Sequence, residues 1–454
     1  MIQPYQYLTL NIEDVGAEGE GIAHEEGYTV FVPNSLPGET VRAQAVTVNH
    51  RKNLVYARFI KAEVRSPIRV RPACDVYGVC GGCNYMHAEY AAELKFKKNN
   101  IAALFKKNAG IKPEIADIVP SDPVLGYRNK AQIPFAEENG KVVLGFYRAR
   151  TRRVKPITDC PLHGKWLKPL IAAVTRWANE NKLSSYSHET GKGVLRHLVA
   201  RSLGGVLAVT IVINGDTIPY TERLKNDIEK ISSRYTFGIS VNKERVARIM
   251  GAKYVPLYST ASEINIDGVK LALDPLSFFQ VNDYIRKKIY DKIFELVSPD
   301  KDTLFIDLYA GIGLTGIKMA EAGAEVINVE IVPEAVMDAD KLYAANGLKD
   351  KATNIAGDAK DVLPRLSEKT AGKQTVIYVD PPRKGLSPDV VDSLNAFAAE
   401  KDIRLIYLSC NPATLTRDIK LLSAYAVSDP VMPFDMFPRT ANTETLVELR
   451  LRRL

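Results

Sequence analysis

The sequence predicts an α/β fold: a C-terminal domain built on a doubly wound, mostly parallel sheet, carried behind a small all-β barrel and an α+β segment. Three observations predict it. From about residue 263, short apolar strands alternate with helical stretches, as successive β-α units require. Residues 1–65 run at near period two with Gly-rich turns between the runs. Between these regions strands and helices mix without strict alternation.

The first region contains YQYLTLNIEDVG, GEGIAHEEG, YTVFVPNSLPGETVRAQAVTV and LVYARFIKAEV, each alternating apolar and polar residues, and closes at Ser66-Pro67. Three cysteines follow in RPACDVYGVCGGCNYMHAEY, then a helix from about Tyr90 to Lys107. Residues 120–262 read as strands at Lys130–Phe135, Val142–Tyr147, Val206–Val212 and Phe237–Val241, with helices at Trp166–Asn179 and Thr221–Ile231. The last region gives TLFIDLYAG, EVINVEIV, ATNIAGDA, QTVIYVDPP and IRLIYLSCNP, five apolar strands ending in polar or Gly-rich turns. Ligands of such sheets sit at those C-terminal strand ends.

A chain of 454 residues, 46% hydrophobic and 25% charged, has length for two or three cores and the balance of a soluble globular protein. It lacks an apolar run long enough to predict a transmembrane helix. Its start, MIQPYQYLTLNIEDVG, alternates and carries acids, unlike a secretory signal. A cytoplasmic location is the expectation. The net charge of +8 favours a polyanionic partner only where the charge gathers. It does so at Arg148, Arg150, Arg152, Arg153 and Lys155 beside Tyr147, and at Tyr127-Arg128-Asn129-Lys130. A solvated charged face is the plain alternative for both.

The cofactor site is read from strand ends. TLFID ends at Asp307 and runs into LYAGIGLTG, where Gly311 and Gly313 allow a tight turn against a nucleotide. The next strand ends in Glu330, 23 residues after Asp307, placed to accept hydrogen bonds from ribose hydroxyls. The third ends in Gly357-Asp358, where an acid can meet an adenine amino group. A helix N-cap is the plain alternative for any one of these acids. The spacing of Gly311, Gly313 and Gly316 also fits a dinucleotide fingerprint. Asp307 argues against that, because it would face a pyrophosphate unfavourably. It suits a cofactor with a cationic amino-acid end, such as S-adenosylmethionine.

The fourth strand ends in Asp380, with Pro381 and Pro382 fixing the turn and Arg383 after them. The fifth ends in Ser409-Cys410-Asn411-Pro412, with a helix beginning after the proline. A thiol at a helix N-terminus is expected to have a lowered pKa. A buried cysteine packing as a small hydrophobe is the alternative. In FDMFPRTANTETLVEL, Glu444 stands just before an apolar strand, either a surface acid or a general base in the same crevice.

Five cysteines without a secretion signal argue against a disulfide framework. Cys74, Cys80, Cys83 and the distant Cys160 supply four thiolates, the number that closes a tetrahedral zinc site or a cubane iron–sulfur cluster. The C-x2-C spacing favours zinc, whereas the glycines of Gly81-Gly82 suit a bulkier group. Setting these four apart leaves Cys410 alone.

DLYAGIGLTG, DPPRKG, SCNPATLTRD and DMFPRTANTE together resemble the RNA uracil-C5 methyltransferase family, across the whole C-terminal domain. GEGIAHEEGYTVFVPNSLPGE resembles the TRAM domain, a small RNA-binding barrel. The resemblance implies a Rossmann-like class I methyltransferase domain at 263–454, a TRAM/OB-like barrel at 1–66, and an α+β RNA-recognition domain at 67–262 whose 90–107 helix packs on the catalytic domain. It implies Cys410 as the nucleophile that attacks C6 of uracil and Glu444 as the base that removes the C5 proton. Gln280 of FFQVN, Tyr309, Glu330 and Asp380 would line the S-adenosylmethionine site, with Asp358 a further contact.

The family's ribosomal RNA members bind a 4Fe-4S cluster through a C-x5-C-G-G-C run and a distant C-P. Both are present here, so the resemblance implies that cluster on Cys74, Cys80, Cys83 and Cys160, and a flipped-out uridine of 23S ribosomal RNA as target. A tRNA T-loop enzyme is the alternative within the class, and an RNA-binding or chaperone protein with an inactive catalytic domain the alternative outside it. The chain is expected to act as a monomer, with no obligatory protein partner and no membrane. It departs from the family at Ala310, where Cys is frequent, at Leu314, where some members have a cofactor-binding Asn, and at Arg439 and Asn442, where many have His. An imidazole assisting the base is therefore not part of the expectation.

Overall fold

The computed structural model describes residues 1–246, 248–261, 263–272, 277, 279–400 and 403–452. The expected boundary residue 262, Phe278 of the FFQVN stretch and the last two residues of the expected 263–454 domain lie outside the described residues.

The N-terminal region forms one six-stranded sheet: β1 (Tyr7–Asn11), β2 (Asp14–Val15), β3 (Gly21–Glu25), β4 (Tyr28–Val32), β5 (Thr40–Asn49) and β6 (Leu54–Val64), in the order β1-β5-β6-β4-β3-β2. Alternation decides which side chains go inside. In β1, Leu8 and Leu10 are buried while Tyr7, Thr9 and Asn11 face solvent. The sheet curls until β1 touches β3, around Leu10, Val30, Val41 and Val55.

The middle sheet runs β13-β12-β11-β10-β7-β8-β9, from β7 (Lys130–Glu138), β8 (Lys141–Tyr147), β9 (Val154–Pro156), β10 (Leu195–Leu203), β11 (Val206–Ile213), β12 (Tyr235–Val241) and β13 (Lys253–Ser259). β10 escapes sequence reading because Arg196, His197 and Arg201 interrupt its apolar run, yet all three are buried. Arg196 survives burial because its guanidinium donates to the Asn242 and Glu244 carbonyls at 2.6 and 2.7 Å and lies 4.4 Å from the Tyr186 ring centroid. A short hairpin, β14 (Glu263–Ile266) and β15 (Val269–Ala272), leads into the last region.

There the strands are β16 (Thr303–Leu308), β17 (Glu325–Glu330), β18 (Ala352–Ala356), β19 (Gln374–Val379), β20 (Arg404–Ser409), β21 (Tyr425–Phe434) and β22 (Glu444–Leu451). Their order is β18-β17-β16-β19-β20-β22-β21; the first five are parallel, while β22 runs antiparallel to both β20 and β21. β16 is buried along its whole length, as a central parallel strand covered on both faces must be. Leu304, Ile306 and Leu308 enter one layer; Phe305 enters the other. Asp307 shares the parity of Phe305. Helix α1 (Tyr90–Leu104) arises before the middle sheet but packs against the last sheet, where Ile101 and the following Phe105 join the core of β16, β19 and β20. Among the described residues no helix is long and apolar enough to cross a membrane.

Candidate active site

Each parallel strand delivers an acid or a thiol to the same edge of the sheet. Asp307, next to last in β16, has a buried side chain whose Oδ1 has no hydrogen-bond partner. Burial, then the charges of Asp380 and Glu330, push its pKa well above the usual carboxylate range. A cluster of mutually repelling acids with an unpartnered oxygen is chemically suited to a cation. The chain then turns through Tyr309, held at φ 70°, to Gly313 at φ 75°, where a Cβ would come within 2.7 Å of Asn328 Nδ2. The helix Leu314–Glu321 begins there.

Glu330 closes β17. Its Oε2 accepts the Gly311 N–H and its Oε1 the Val332 N–H, both at 3.0 Å, which fixes the carboxylate against the glycine turn. Asp358, after β18, accepts the Lys360 N–H at 3.2 Å and so serves as the N-cap expected as its plain alternative. It also lies near Tyr309, whose hydroxyl is pushed up to about 12 by burial, Asp358 and Asp418. Asp380, after β19, is pushed up to about 7 by burial, and Gln280 Nε2 donates to its Oδ2 at 3.5 Å. Gln280 is itself held from the middle sheet: Asn129 Nδ2 donates to its carbonyl at 3.0 Å. That tie leaves no local signal, because residues 151 apart meet only in the tertiary fold.

Cys410 follows β20, and Asn411 caps the helix Pro412–Leu421 by accepting the Ala413 N–H at 3.2 Å. Ser409 pairs with Thr445, so Cys410 and Glu444 emerge side by side from antiparallel neighbours. Glu444 is buried, its Oε2 has no hydrogen-bond partner, and burial with the nearby Asp380 holds its pKa well above the usual range. The expected lowering of the Cys410 pKa is corrected: the thiol is pushed up to about 11, by burial first, then by Glu444 and Asp380, against the opposing charge of Arg383. Burial, with the carboxylates of two other strands adding to it, sets the direction. The turns after β19 and β20 brace each other, since the Arg383 carbonyl accepts from Asn411 Nδ2 at 3.1 Å and the buried Asp418 carboxylate accepts the Leu386 N–H at 2.8 Å.

The other four cysteines line one cleft of about 1330 Å³ between the barrel and the middle sheet. Cys74, Cys83 and Cys160 pack against Met86, Tyr127 and Leu162. The thiols lie close enough to raise one another: Cys160 is pushed up to about 11 by burial, with Cys74 and Cys80 adding to it, and Cys83 is raised by burial and by the other three. Among the described residues no three His, Cys, Asp or Glu side chains are arranged as a metal site. The donor chemistry fits a thiolate-bound cation; the arrangement is not a closed ligand set. The same cleft is lined by Tyr56, Arg58, Arg128, Lys130, Arg148 and Arg150. Tyr56 stacks on Phe31 at 5.2 Å and carries Arg150 over its ring at 5.3 Å. Arg148, Arg150, Arg152 and Arg153 are exposed, whereas Tyr127 and Asn129 of the other basic stretch are buried.

Residues 89–452 match the family described as tRNA (Uracil-5-)-methyltransferase, and residues 3–52 match the TRAM domain. The chain is 35% identical to an uncharacterized RNA methyltransferase of Oceanobacillus iheyensis, over 98% of this chain and 97% of that one. It is 31% identical to another from Clostridium tetani, over 96% and 95% of the two chains. Among solved structures it resembles the Pyrococcus abyssi tRNA (uracil-54, C5)-methyltransferase in complex with S-adenosyl-L-homocysteine, with TM-score 0.76 and 26% identity over 97% of this chain and 99% of that one. The chain belongs to the RNA (uracil-5-)-methyltransferase family and carries a TRAM domain at its N-terminus.

Proposed function

We propose that this chain methylates C5 of a uridine in 23S ribosomal RNA, with Cys410 as covalent nucleophile and Glu444 as general base. The observation that carries the reading is the juxtaposition of Cys410 and Glu444 at paired strand ends beside a cluster of unneutralised acids. S-adenosylmethionine, when bound, supplies an electrophilic methyl group and a positive charge. Asp307 and Asp380 suit that charge, Glu330 and Asp358 its ribose and adenine, and Gln280 and Tyr309 the walls between them.

C5 of uracil is a weak nucleophile. The Cys410 thiolate forms a bond to C6, and the displaced electron pair makes the base an enolate with carbon nucleophilicity at C5. C5 would then bond to the methyl carbon, the S–CH3 bonding pair staying on the cofactor's sulfur so that S-adenosylhomocysteine is the leaving group. Glu444 removes the C5 proton; the pair left behind restores the C5–C6 double bond and expels the thiolate. A raised Glu444 pKa suits a base that must hold a proton once it has taken it. The target base must leave its stack to reach Cys410, and the aromatic and basic residues of the cleft suit a single-stranded RNA.

The four remaining cysteines are the proposed ligands of a 4Fe-4S cluster, which would staple the loops of the cleft. Anaerobic preparation should then yield about four irons per chain; stoichiometric zinc would refute the cluster. A transfer RNA target is the second reading, favoured by the full-length likeness to the Pyrococcus abyssi enzyme. Mapping 5-methyluridine in ribosomal and transfer RNA from a deletion strain separates the two: loss from 23S RNA supports the proposal, and loss from tRNA alone overturns it.

A further inference from the structure

Glu444 is reached by a strap, residues 435–443, that crosses from the end of β21 to the start of β22. The Glu444 Oε2 has no hydrogen-bond partner to aim it. The Glu444 backbone opens β22, paired with Phe434, and runs on directly from the strap, so a shift of the strap is a shift of the side chain's base. The strap's backbone is held from outside the catalytic sheet. Arg439 sits at φ 70°, unusual for a side chain of its size, with its N–H donating to Glu93 Oε1 at 2.7 Å. Its carbonyl accepts two N–H groups, from Asn84 at 2.8 Å and Tyr85 at 3.0 Å. Two residues on, the Ala441 N–H donates to Asn84 Oδ1 at 3.1 Å.

Asn84 reaches the barrel as well. Its Nδ2 donates to the Glu18 carbonyl at 2.7 Å, and its own carbonyl accepts from the Tyr77 hydroxyl at 2.8 Å. A Cβ at the neighbouring Gly19 would stand 2.9 Å from the Asn84 Cβ, so the barrel turn is fitted closely against it. One asparagine thus touches the barrel, the cysteine-rich loop and the strap at once. Its amide has the right inventory for this, a donor pair for a carbonyl and an acceptor for an N–H.

We propose that Asn84 is a positioning residue for the reaction, fixing the strap that aims Glu444 at the bound base. This rests on the reading of Glu444 as the general base. The expected consequence is specific to one step. Without Asn84 Oδ1 the Ala441 N–H loses its partner and the strap relaxes, so proton removal slows while methyl transfer does not.

The test uses the full chain, labelled S-adenosylmethionine and an unmodified RNA transcript that the wild type methylates. Three quantities are measured: S-adenosylhomocysteine affinity, formation of the methylated protein–RNA adduct, and its decay. Asn84→Ala should leave the first two as in wild type and slow the decay on the order of tenfold or more. Asn84→Asp keeps the acceptor for Ala441 and should restore the decay. Decay at the wild-type rate in Asn84→Ala overturns the inference, and so does a parallel loss of cofactor affinity, which marks a general loss of structure. Glu444→Gln is the reference. If it accumulates adduct and Asn84→Ala does not, only the Asn84 inference falls; if Glu444→Gln turns over freely, the base reading falls and takes the inference with it.

Discussion

Asp307→Asn should stabilise the ligand-free chain while weakening its grip on the cofactor. The wild-type carboxyl is buried, one oxygen is unpartnered, and Asp380 and Glu330 repel its charge. Its pKa is therefore raised on folding, so the folded state binds the proton more tightly than the unfolded state does. The sign follows: the charge costs nothing below the ordinary carboxylate pKa, and the cost grows as pH rises toward the folded pKa. An amide of the same shape removes that cost. Leaving a charged group buried without a partner costs about 1–3 kcal/mol or more. For a domain of this size each kcal/mol moves the unfolding temperature by roughly 2–4 °C. The variant should melt several degrees higher than wild type at pH 8, and the gap should close as the pH is lowered toward 4. The same substitution removes the charge proposed to face the cationic amino-acid end of the cofactor. Losing one partner of a buried charge pair costs about 2–5 kcal/mol, or roughly thirtyfold to a few thousandfold in affinity. Scanning fluorimetry across pH and calorimetric titration with S-adenosylhomocysteine read the two effects. A variant that melts lower than wild type at pH 8, or binds S-adenosylhomocysteine equally well, refutes the reasoning.

The remaining predictions concern the thiol and the cleft. Alkylation of Cys410 by iodoacetamide, followed by peptide mass spectrometry, should rise with pH toward an inflection at about 11 in the ligand-free chain. Glu444→Gln and Asp380→Asn should each lower that inflection and Arg383→Ala should raise it; an inflection near 7 in wild type would show that the helix end outweighs the carboxylates. Replacing Arg148 and Arg150 together by Glu should weaken binding of the RNA substrate and flatten its salt dependence by about one unit of slope per lost phosphate contact, measured by filter binding from 50 to 200 mM salt. Unchanged slope would remove those two arginines from the RNA path.

The alternation of strands and helices after residue 263 was legible because central parallel strands carry short apolar runs, as β16 does in Leu304–Ile306 and β20 in Leu405–Leu408. The antiparallel pair β21 and β22 was not, since nothing local distinguishes an antiparallel edge from another parallel unit. That pair is what brings Glu444, 34 residues away in the chain, beside Cys410. Motif resemblance anticipated the partnership; spacing could not. The Cys410 pKa was misjudged for the same reason, because the helix start is local in sequence, whereas the burial of the thiol and the carboxylates around it arise only in the tertiary fold. β10 was missed because buried arginines look like surface residues until their carbonyl partners are known. Asn84 left no signal of its own: its partners lie 66 and 357 residues away.

The account stands most directly on Cys410 acting as the nucleophile. The decisive measurement is intact mass analysis of the chain after incubation with S-adenosylmethionine and 5-fluorouridine-substituted RNA, in which the C5 fluorine cannot leave as a proton does. A covalent protein–RNA adduct carrying the methyl group, mapped to Cys410 and abolished in Cys410→Ala, is the predicted result. An adduct that persists in Cys410→Ala, or none in the wild type under conditions where it methylates ordinary RNA, would contradict it.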